Sequence, residues 1–336
     1  MCPGAPVAAV ASDKSVCVMD ASGPLGQALV HRLLRRGYTV HAATYGRSLD
    51  ALALLAAAGH DEDRLKLFRA DPFDYHSIAD AVRGCSGLFC MFNTHEDQAG
   101  CDEVMVEVEV RAAQNVLEAC AQTVTMERVV FTSSVTAVVW KDDDHKPVDA
   151  FDERNWSDLN LCRKRKVINQ SSAAASFFSA QGLITVITGG LVQLWHALAK
   201  TLSEKTAWAL AMDRGVDMVA INAGLLTGPG LSSAHPCLKG VPEMYEHGVL
   251  VTVDADFLAD AHVAAYECPT AFGRYLCFNN VVCRPEDALQ FAQMLTPSAP
   301  CYPPSDELKV IPQRIQNKKL NNLMVEFASA IYGDLD

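Results

Sequence analysis

The stretch Val16-Cys-Val-Met-Asp-Ala-Ser-Gly-Pro-Leu-Gly26 begins with a short apolar run and continues into a turn of small residues. The apolar run predicts a β-strand over residues 16–19. A helix is predicted over residues 25–36, because leucines form one apolar stripe there and Gly37 follows as a stop. A strand, a glycine turn and a helix in this order can present backbone amides to a phosphate group.

Short apolar runs and helical patterns alternate through the first two-thirds of the chain, and one further helix is predicted near its end. Strands are predicted at residues 38–43, 65–69, 87–92, 128–133 and 216–221, and helices at residues 49–58, 77–82, 103–122, 200–214 and 317–331. This alternation is typical of a parallel sheet covered by helices. The predicted fold class is therefore α/β, a Rossmann-type doubly wound parallel sheet with a smaller C-terminal substrate-binding region.

Two regions are expected along the chain. Residues 12–225 are predicted to form the nucleotide-binding Rossmann domain. After residue 222 glycine and proline become frequent, over residues 224–242, and helices and strands are less regular up to residue 304. We expect residues 226–336 to be mostly a substrate-binding region, partly interleaved with the sheet.

The composition excludes several classes of function. The chain has 336 residues with 28 basic and 40 acidic side chains, a formal charge of −12, and an acidic surface repels nucleic acid. No positive stretch precedes the small apolar residues 1–11, so we expect no secretory signal. Twelve cysteines without such a signal predict a reducing, cytoplasmic location, and the absence of a CxxC pair predicts no metal site.

One segment does not fit the alternating pattern. Residues 167–199 contain no Asp, Glu, Lys or Arg, but polar residues interrupt the apolar middle, and we expect no membrane span. Our hypothesis is that residues 167–193 are a retained intron or a recent insertion. Valine codons begin with GT and glutamine can be CAG, the two ends of an intron, and removal joins Lys166 to Leu194 in frame. Messenger reads that cross this junction without the block would confirm the hypothesis, and uniform inclusion would exclude it.

The glycine turn is the first candidate cofactor site. Gly23, Leu25 and Gly26 occupy the turn and helix start where a nucleotide pyrophosphate binds. Asp20 stands where a GxxGxxG pattern has its first glycine, and it adds bulk and negative charge there. A merely structural turn is the alternative interpretation.

The ends of the second and third strands distinguish the two nicotinamide cofactors. No Asp or Glu stands in residues 41–48 to bind the ribose of NAD, whereas Arg47, with His41 as a helper, suits the additional phosphate of NADP. A solvated loop arginine is the alternative. Asp71 is placed either to accept a hydrogen bond from an adenine amine or to cap the helix that begins near Ser77.

Three side chains match the needs of carbonyl reduction. Hydride transfer requires a proton donor beside the developing alkoxide, a hydroxyl that polarises the oxygen and a cation. The strand at residues 128–133 is followed by Ser134, and a later helix carries Lys200. In a Tyr-x-x-x-Lys arrangement the donor lies one helical turn before the lysine, and His196 occupies that position here.

Over residues 15–327 the chain resembles the extended short-chain dehydrogenases/reductases of the plant cinnamoyl-CoA reductase and dihydroflavonol reductase group. The similar segments are Asn115-Val-Leu-Glu-Ala-Cys120, Arg128-Val-Val-Phe-Thr-Ser-Ser134, Asn155-Trp-Ser-Asp-Leu159 and Gly273-Arg-Tyr-Leu-Cys277. With the 27-residue block set aside, Ser134 and His196 are 62 minus 27, or 35, residues apart, which resembles the family's spacing from serine to tyrosine.

The resemblance implies an NADPH-dependent oxidoreductase that acts on an aromatic, phenylpropanoid-like carbonyl or CoA thioester. It implies that Ser134 polarises the carbonyl, that Lys200 holds the nicotinamide ribose, and that His196 occupies the proton-donor site. A tyrosine there has an ordinary pKa of ~10, while an imidazole titrates near ~6.5 and a neighbouring ammonium lowers that pKa further. Neutral histidine can still donate a hydrogen bond.

The chain departs from the family pattern around the cofactor. Besides Asp20 and His196, Tyr45 replaces the family arginine after strand two and becomes a candidate cofactor-binding residue. Bulky residues replace the small ones after strand four, namely Met91, Phe92 and Asn93. The alternative function is therefore a catalytically impaired homologue that binds a nucleotide, a phenylpropanoid or a protein partner without turnover.

Overall fold

A computed structural model describes residues 14–45, 63–91, 103–141, 150–164, 194–228, 231, 238, 240–295 and 310–332. The strands are β1 Ser15–Met19, β2 Thr39–Thr44, β3 Leu65–Arg69, β4 Gly87–Cys90, β5 Arg128–Ser134, β6 Met218–Ala223, β7 Leu225–Thr227, β8 Val251–Asp254, β9 Gly273–Cys277 and β10 Asn280–Val281. The helices are α1 Pro24–Arg35, α2 Tyr75–Val82, α3 Glu103–Gln122, α4 Leu159–Lys164, α5 Trp195–Arg214, α6 Val241–Glu246, α7 Ala255–Glu267, α8 Pro285–Leu295 and α9 Lys318–Tyr332.

Seven strands form one parallel sheet in the order β3-β2-β1-β4-β5-β6-β9. The strand order reverses between β1 and β4, and ligands of open α/β sheets bind outside the carboxyl ends of the strands at such a point. Buried apolar residues from the sheet, α1 and α7 form one core cluster, and residues from α2, α3 and α5 pack against the opposite face of the sheet in another. The predicted fold class is confirmed.

Local patterns located most of these elements. All six predicted strands are present with small shifts at their ends, and Gly37 adopts a left-handed φ of 88° just after α1. Helix α5 begins earlier than predicted, at Trp195, and ends at Arg214, followed by Gly215 with a φ of 68°. The helix predicted at residues 49–58 and the block at residues 167–193 lie outside the described residues. Among the described helices, none is long and apolar enough to cross a membrane.

The region after residue 225 contributes directly to the main sheet. Strand β9 pairs with β6 and completes the sheet, although the sequence pattern did not predict it as a strand. Helix α7 packs against α1, where Arg32 pairs with Asp260 and Arg36 pairs with Glu267. Strands β7, β8 and β10 form a separate small sheet.

A buried ion pair connects β9 to the rest of the sheet. Glu204 of α5 is fully buried, and Arg274 of β9 donates from Nε to Glu204 Oε1 at 2.6 Å and from Nη2 to Oε2 at 3.2 Å. The guanidinium also lies 3.7 Å from the centre of the Trp156 ring and donates to the carbonyl of Asn155. This carboxylate has lost its water, so its stability depends on these donors.

We expect Arg274→Met to lower the free energy of unfolding by about 3–5 kcal/mol, because it leaves Glu204 as an uncompensated buried charge. Arg111→Ala is the control: its ion pair with Glu107 is exposed, and such pairs contribute less than ~0.5 kcal/mol. Urea denaturation of the two variants measures the difference. Equal losses would contradict a special role for the buried pair.

Candidate active site

The glycine turn has the shape that a pyrophosphate requires. Asp20 adopts φ +59°, the left-handed region that favours glycine. A Cβ on Gly26 would lie 2.1 Å from the carbonyl oxygen of Asp20, so glycine is required there for α1 to pack against the turn. Gly23 precedes the first residue of α1. The N-terminus of α1 therefore lies directly behind the turn.

The backbone at Gly23 is not crowded by the rest of the protein. The nearest atom to a Cβ built on Gly23 is Asp20 Oδ2 at 3.4 Å, an ordinary contact distance. No side chain in the described part of the chain caps α1 at Gly23, and Pro24 supplies no amide hydrogen. The other amides at the N-terminus of α1 can donate to an anion, and the space beside Gly23 allows it to approach. Both features suit a dinucleotide phosphate. The side chain of Leu25 is buried in the core, so only its backbone amide is left for a ligand.

A carboxylate shares this turn with the glycines. Ser22 Oγ donates to Asp20 Oδ1 at 3.1 Å, and Asp20 Oδ2 is the oxygen beside Gly23. The turn thus combines the geometry of an anion site with a fixed negative charge. The shape favours a phosphate, and the charge opposes it.

The residues at the end of β2 are predicted to bind the adenosine half of the cofactor. Tyr45 is about half exposed directly after β2, while Arg47 lies outside the described residues. The prediction that His41 assists Arg47 is wrong, because the imidazole is buried and its Nδ1 lies 2.8 Å from the carbonyl oxygen of Ala81. Burial lowers the pKa of His41.

Asp71 follows β3 but does not cap the next helix. Its Oδ1 accepts from the amide of Phe73 at 2.8 Å, and its own amide donates to Ser77 Oγ at 2.9 Å. The residue that caps α2 is Asp74, which accepts from the amide of His76. The capping alternative for Asp71 is therefore wrong, and a contact with the adenine amine stays a prediction.

Ser134 and His196 are joined through Thr136. Ser134 ends β5, and Thr136 lies in the short 3₁₀ helix Val135–Ala137 that follows. Thr136 Oγ1 donates to Ser134 Oγ at 3.0 Å and lies 3.3 Å from His196 Nδ1. The structure thus brings together the hydroxyl predicted to polarise a carbonyl and the imidazole predicted to move a proton.

Lys200 lies one turn after His196 on α5, and a buried carboxylate holds it. Its Nζ lies 2.9 Å from Oε1 of Glu109, which belongs to α3, and both side chains are largely buried. Ser203 Oγ donates to the other carboxylate oxygen at 3.4 Å. Burial raises the pKa of Glu109, and the neighbouring ammonium opposes this rise. The predicted ribose ligand therefore belongs to an ion pair.

A second carboxylate supports the end of β5 from below. Glu204 Oε2 accepts from Ser133 Oγ and from Asn222 Nδ2, each at 2.7 Å. Asn222 Nδ2 also donates to the carbonyl oxygen of Ser134 at 3.3 Å. The backbone that carries the candidate hydroxyl is therefore fixed to β6 and α5.

Sequence reasoning did not identify Glu109, Thr136 or Glu204. A signal existed for Glu109, because it lies four residues from both Met105 and Ala113 on the apolar face of α3. Glu204 has a similar signal, because it lies four residues after Lys200 and therefore on the same face of α5. Thr136 has none, since the imidazole it contacts is 60 residues away in the chain.

The predictions about the residues after β4, the cysteines and a metal site concern the rest of the described structure. Met91 is buried in the core cluster that contains Ala21 and Leu25, whereas Phe92 and Asn93 lie outside the described residues. All eight cysteines within the described ranges are free thiols. Those ranges contain no group of three or more His, Cys, Asp or Glu side chains that could hold a metal ion.

Comparison with known proteins identifies the family. Residues 21–183 match the NAD(P)H-binding family model, which confirms a nicotinamide dinucleotide as the cofactor class. The chain is 32% identical to cinnamoyl-CoA reductase 1 of Petunia hybrida, over 94% of this chain and 88% of the relative. It is 30% identical to the bifunctional dihydroflavonol 4-reductase/flavanone 4-reductase of Malus domestica, over 94% and 86% of the two chains.

A solved structure agrees with these relatives. The fold is similar to that of vestitone reductase from alfalfa, with a TM-score of 0.65 and 25% identity over 92% of this chain and 91% of the other. The predicted resemblance is thereby confirmed across nearly the whole length of the protein. The chain belongs to the cinnamoyl-CoA reductase and dihydroflavonol reductase family of extended short-chain dehydrogenases/reductases.

Proposed function

We propose that this protein is an NADPH-dependent reductase of an aromatic, phenylpropanoid-like carbonyl or CoA thioester. The observation that carries the proposal is the hydrogen-bonded chain from Ser134 through Thr136 to His196, with Lys200 one turn further along α5. The relatives support the substrate class, since their names describe reductases of cinnamoyl-CoA and of dihydroflavonols. We assign most of the substrate contacts to residues 226–336.

Each side chain has a distinct task in the proposed reaction. NADPH supplies the hydride when it is bound. Ser134 donates a hydrogen bond to the substrate oxygen and stabilises the charge that develops there. His196 supplies the proton to that oxygen, and Lys200 orients the ribose while Glu109 holds its ammonium in place.

The choice of NADPH over NADH rests on the end of β2. Residues 41–48 contain no carboxylate for the ribose hydroxyls of NAD, and Arg47 supplies a guanidinium for the additional phosphate of NADP. We propose a cytoplasmic location with a small-molecule aromatic substrate as the partner, without nucleic acid or membrane. A protein partner belongs only to the second function described below.

A second function is supported by the carboxylate at the glycine turn. If Asp20 lies about 5 Å from a bound phosphate, the repulsion at an effective dielectric of ~20 is roughly 3 kcal/mol, and in a hydrated geometry it is below ~1 kcal/mol. The larger value would weaken the cofactor on the order of a hundredfold. The alternative is then an impaired homologue that binds a nucleotide, a phenylpropanoid or a protein without turnover.

We expect NADPH to quench the protein fluorescence with saturation below millimolar concentration, and hydroxycinnamoyl-CoA thioesters or aldehydes to be reduced. Ser134→Ala should lower kcat by about 10²–10³-fold, because it removes a donor to the developing oxyanion. Ser329→Ala, an exposed serine on α9, is the matched control and should retain full activity. Absence of NADPH binding at millimolar concentration would exclude the reductase.

We expect His196→Tyr to raise turnover, because a positioned acid contributes about 10²–10⁴-fold and the tyrosine hydroxyl reaches further than the imidazole. Steady-state rates of both proteins under saturating NADPH measure the change. If the wild type binds NADPH without turnover and His196→Tyr gains turnover, the defect lies in His196 as the proton donor. Unchanged inactivity in a folded, NADPH-binding variant would show that the defect lies elsewhere.

We expect Asp20→Gly to tighten NADPH binding by roughly 10- to 100-fold, because it removes the negative charge beside Gly23. Asp20→Asn retains the bulk of the side chain and separates charge from shape. Fluorescence titrations at low and high salt measure the affinities, and the gain should shrink at high salt. Unchanged affinity in both variants would contradict an electrostatic penalty at the turn.

A further inference from the structure

Thr136 contacts both side chains that the proposed reaction uses. Its amide and its hydroxyl both donate to Ser134 Oγ, at 3.2 Å and 3.0 Å, and its Oγ1 lies 3.3 Å from His196 Nδ1. Ser157 Oγ donates to the carbonyl oxygen of Thr136 at 2.7 Å, and Ser157 is itself buried. Ser157 therefore fixes the backbone of Thr136, and the hydroxyl of Thr136 contacts Ser134 and His196.

The direction of the hydrogen bond from Thr136 to Ser134 favours one tautomer of the imidazole. A threonine hydroxyl has one hydrogen, and Thr136 donates it to Ser134. Its oxygen then has only lone pairs to offer His196 Nδ1, so Nδ1 must carry a hydrogen for the contact to be a hydrogen bond. A neutral imidazole has a single N–H, and its Nε2 therefore carries a lone pair.

The same arrangement defines the direction of the Ser134 hydroxyl. Its oxygen accepts two hydrogen bonds from Thr136, so both of its lone pairs are used. The Ser134 hydrogen then points away from Thr136. This hydrogen is the one that the proposed reaction donates to the substrate oxygen.

We propose that Thr136 is a positioning residue that holds the proton of neutral His196 on Nδ1 and directs the Ser134 hydroxyl hydrogen towards the substrate. This inference rests on the proposed function. Because neutral His196 then has a lone pair on Nε2, it donates its proton as the imidazolium, and the hydride that completes the reduction would come from bound NADPH. In the direction of reduction the imidazolium Nε2–H bond breaks, the O–H bond forms, and neutral His196 with its hydrogen on Nδ1 is recovered.

The experiment compares Thr136→Val, which keeps the shape but removes the hydroxyl, with Thr136→Ser, which keeps the hydroxyl. Nitrogen-15 NMR of the labelled full-length protein distinguishes the two imidazole tautomers, and the signal lost in His196→Asn assigns His196. We expect the Nδ1–H tautomer in the wild type and in Thr136→Ser, and a shift towards Nε2–H in Thr136→Val. Thermal unfolding of each variant checks that the fold is retained.

The kinetic measurement uses NADPH oxidation with a hydroxycinnamaldehyde. We expect Thr136→Val to lower kcat roughly 10- to 100-fold through loss of alignment while the Kd for NADPH is unchanged, and Thr136→Ser to retain most of the activity. The Nε2–H tautomer in the wild type, or the same tautomer in Thr136→Val and the wild type, would overturn the inference. If the expected tautomers are found but no hydride transfer is detected, the role of Thr136 is supported. The proposed reductase function is then contradicted.

Discussion

One buried carboxylate holds together the strands on which the candidate active site is built. Glu204 of α5 accepts hydrogen bonds from Ser133 on β5, Asn222 on β6 and Arg274 on β9. Because the carboxylate is fully buried, these donors replace the water that folding removed. The helix that carries His196 and the strand that ends in Ser134 therefore share one anchor.

The site retains the fold of its family and contains two carboxylates beside the predicted cofactor-binding residues. The ammonium of Lys200 is paired with the buried Glu109, and the carboxylate of Asp20 lies at the glycine turn. Both acidic groups lower the positive potential that an anionic dinucleotide meets. Shape and electrostatics therefore oppose each other at the glycine turn.

Regular periodicity explains why much of the fold could be predicted. Five of the six predicted strands are mostly buried apolar runs, and β3 alternates apolar and charged residues, so local sequence was sufficient to locate them. Strand β9 was missed because its place beside β6 depends on pairing with residues about fifty positions earlier. The sequence offered Asp71 as one candidate cap for α2, but Asp71 and Asp74 both precede the helix, and only the backbone geometry selects Asp74.

For the site, the chain order of the residues was enough to propose candidates, because spacing along a helix and the position at a strand end are local properties. These candidates are Ser134, His196, Lys200 and the glycines of the turn. Local order could not assign partners. That Glu109 neutralises the lysine, that His41 is buried behind α2, and that Thr136 joins the serine to the histidine are contacts between residues distant in the chain. Such contacts depend on how helices pack on the sheet, and packing brings together side chains that no sequence interval relates.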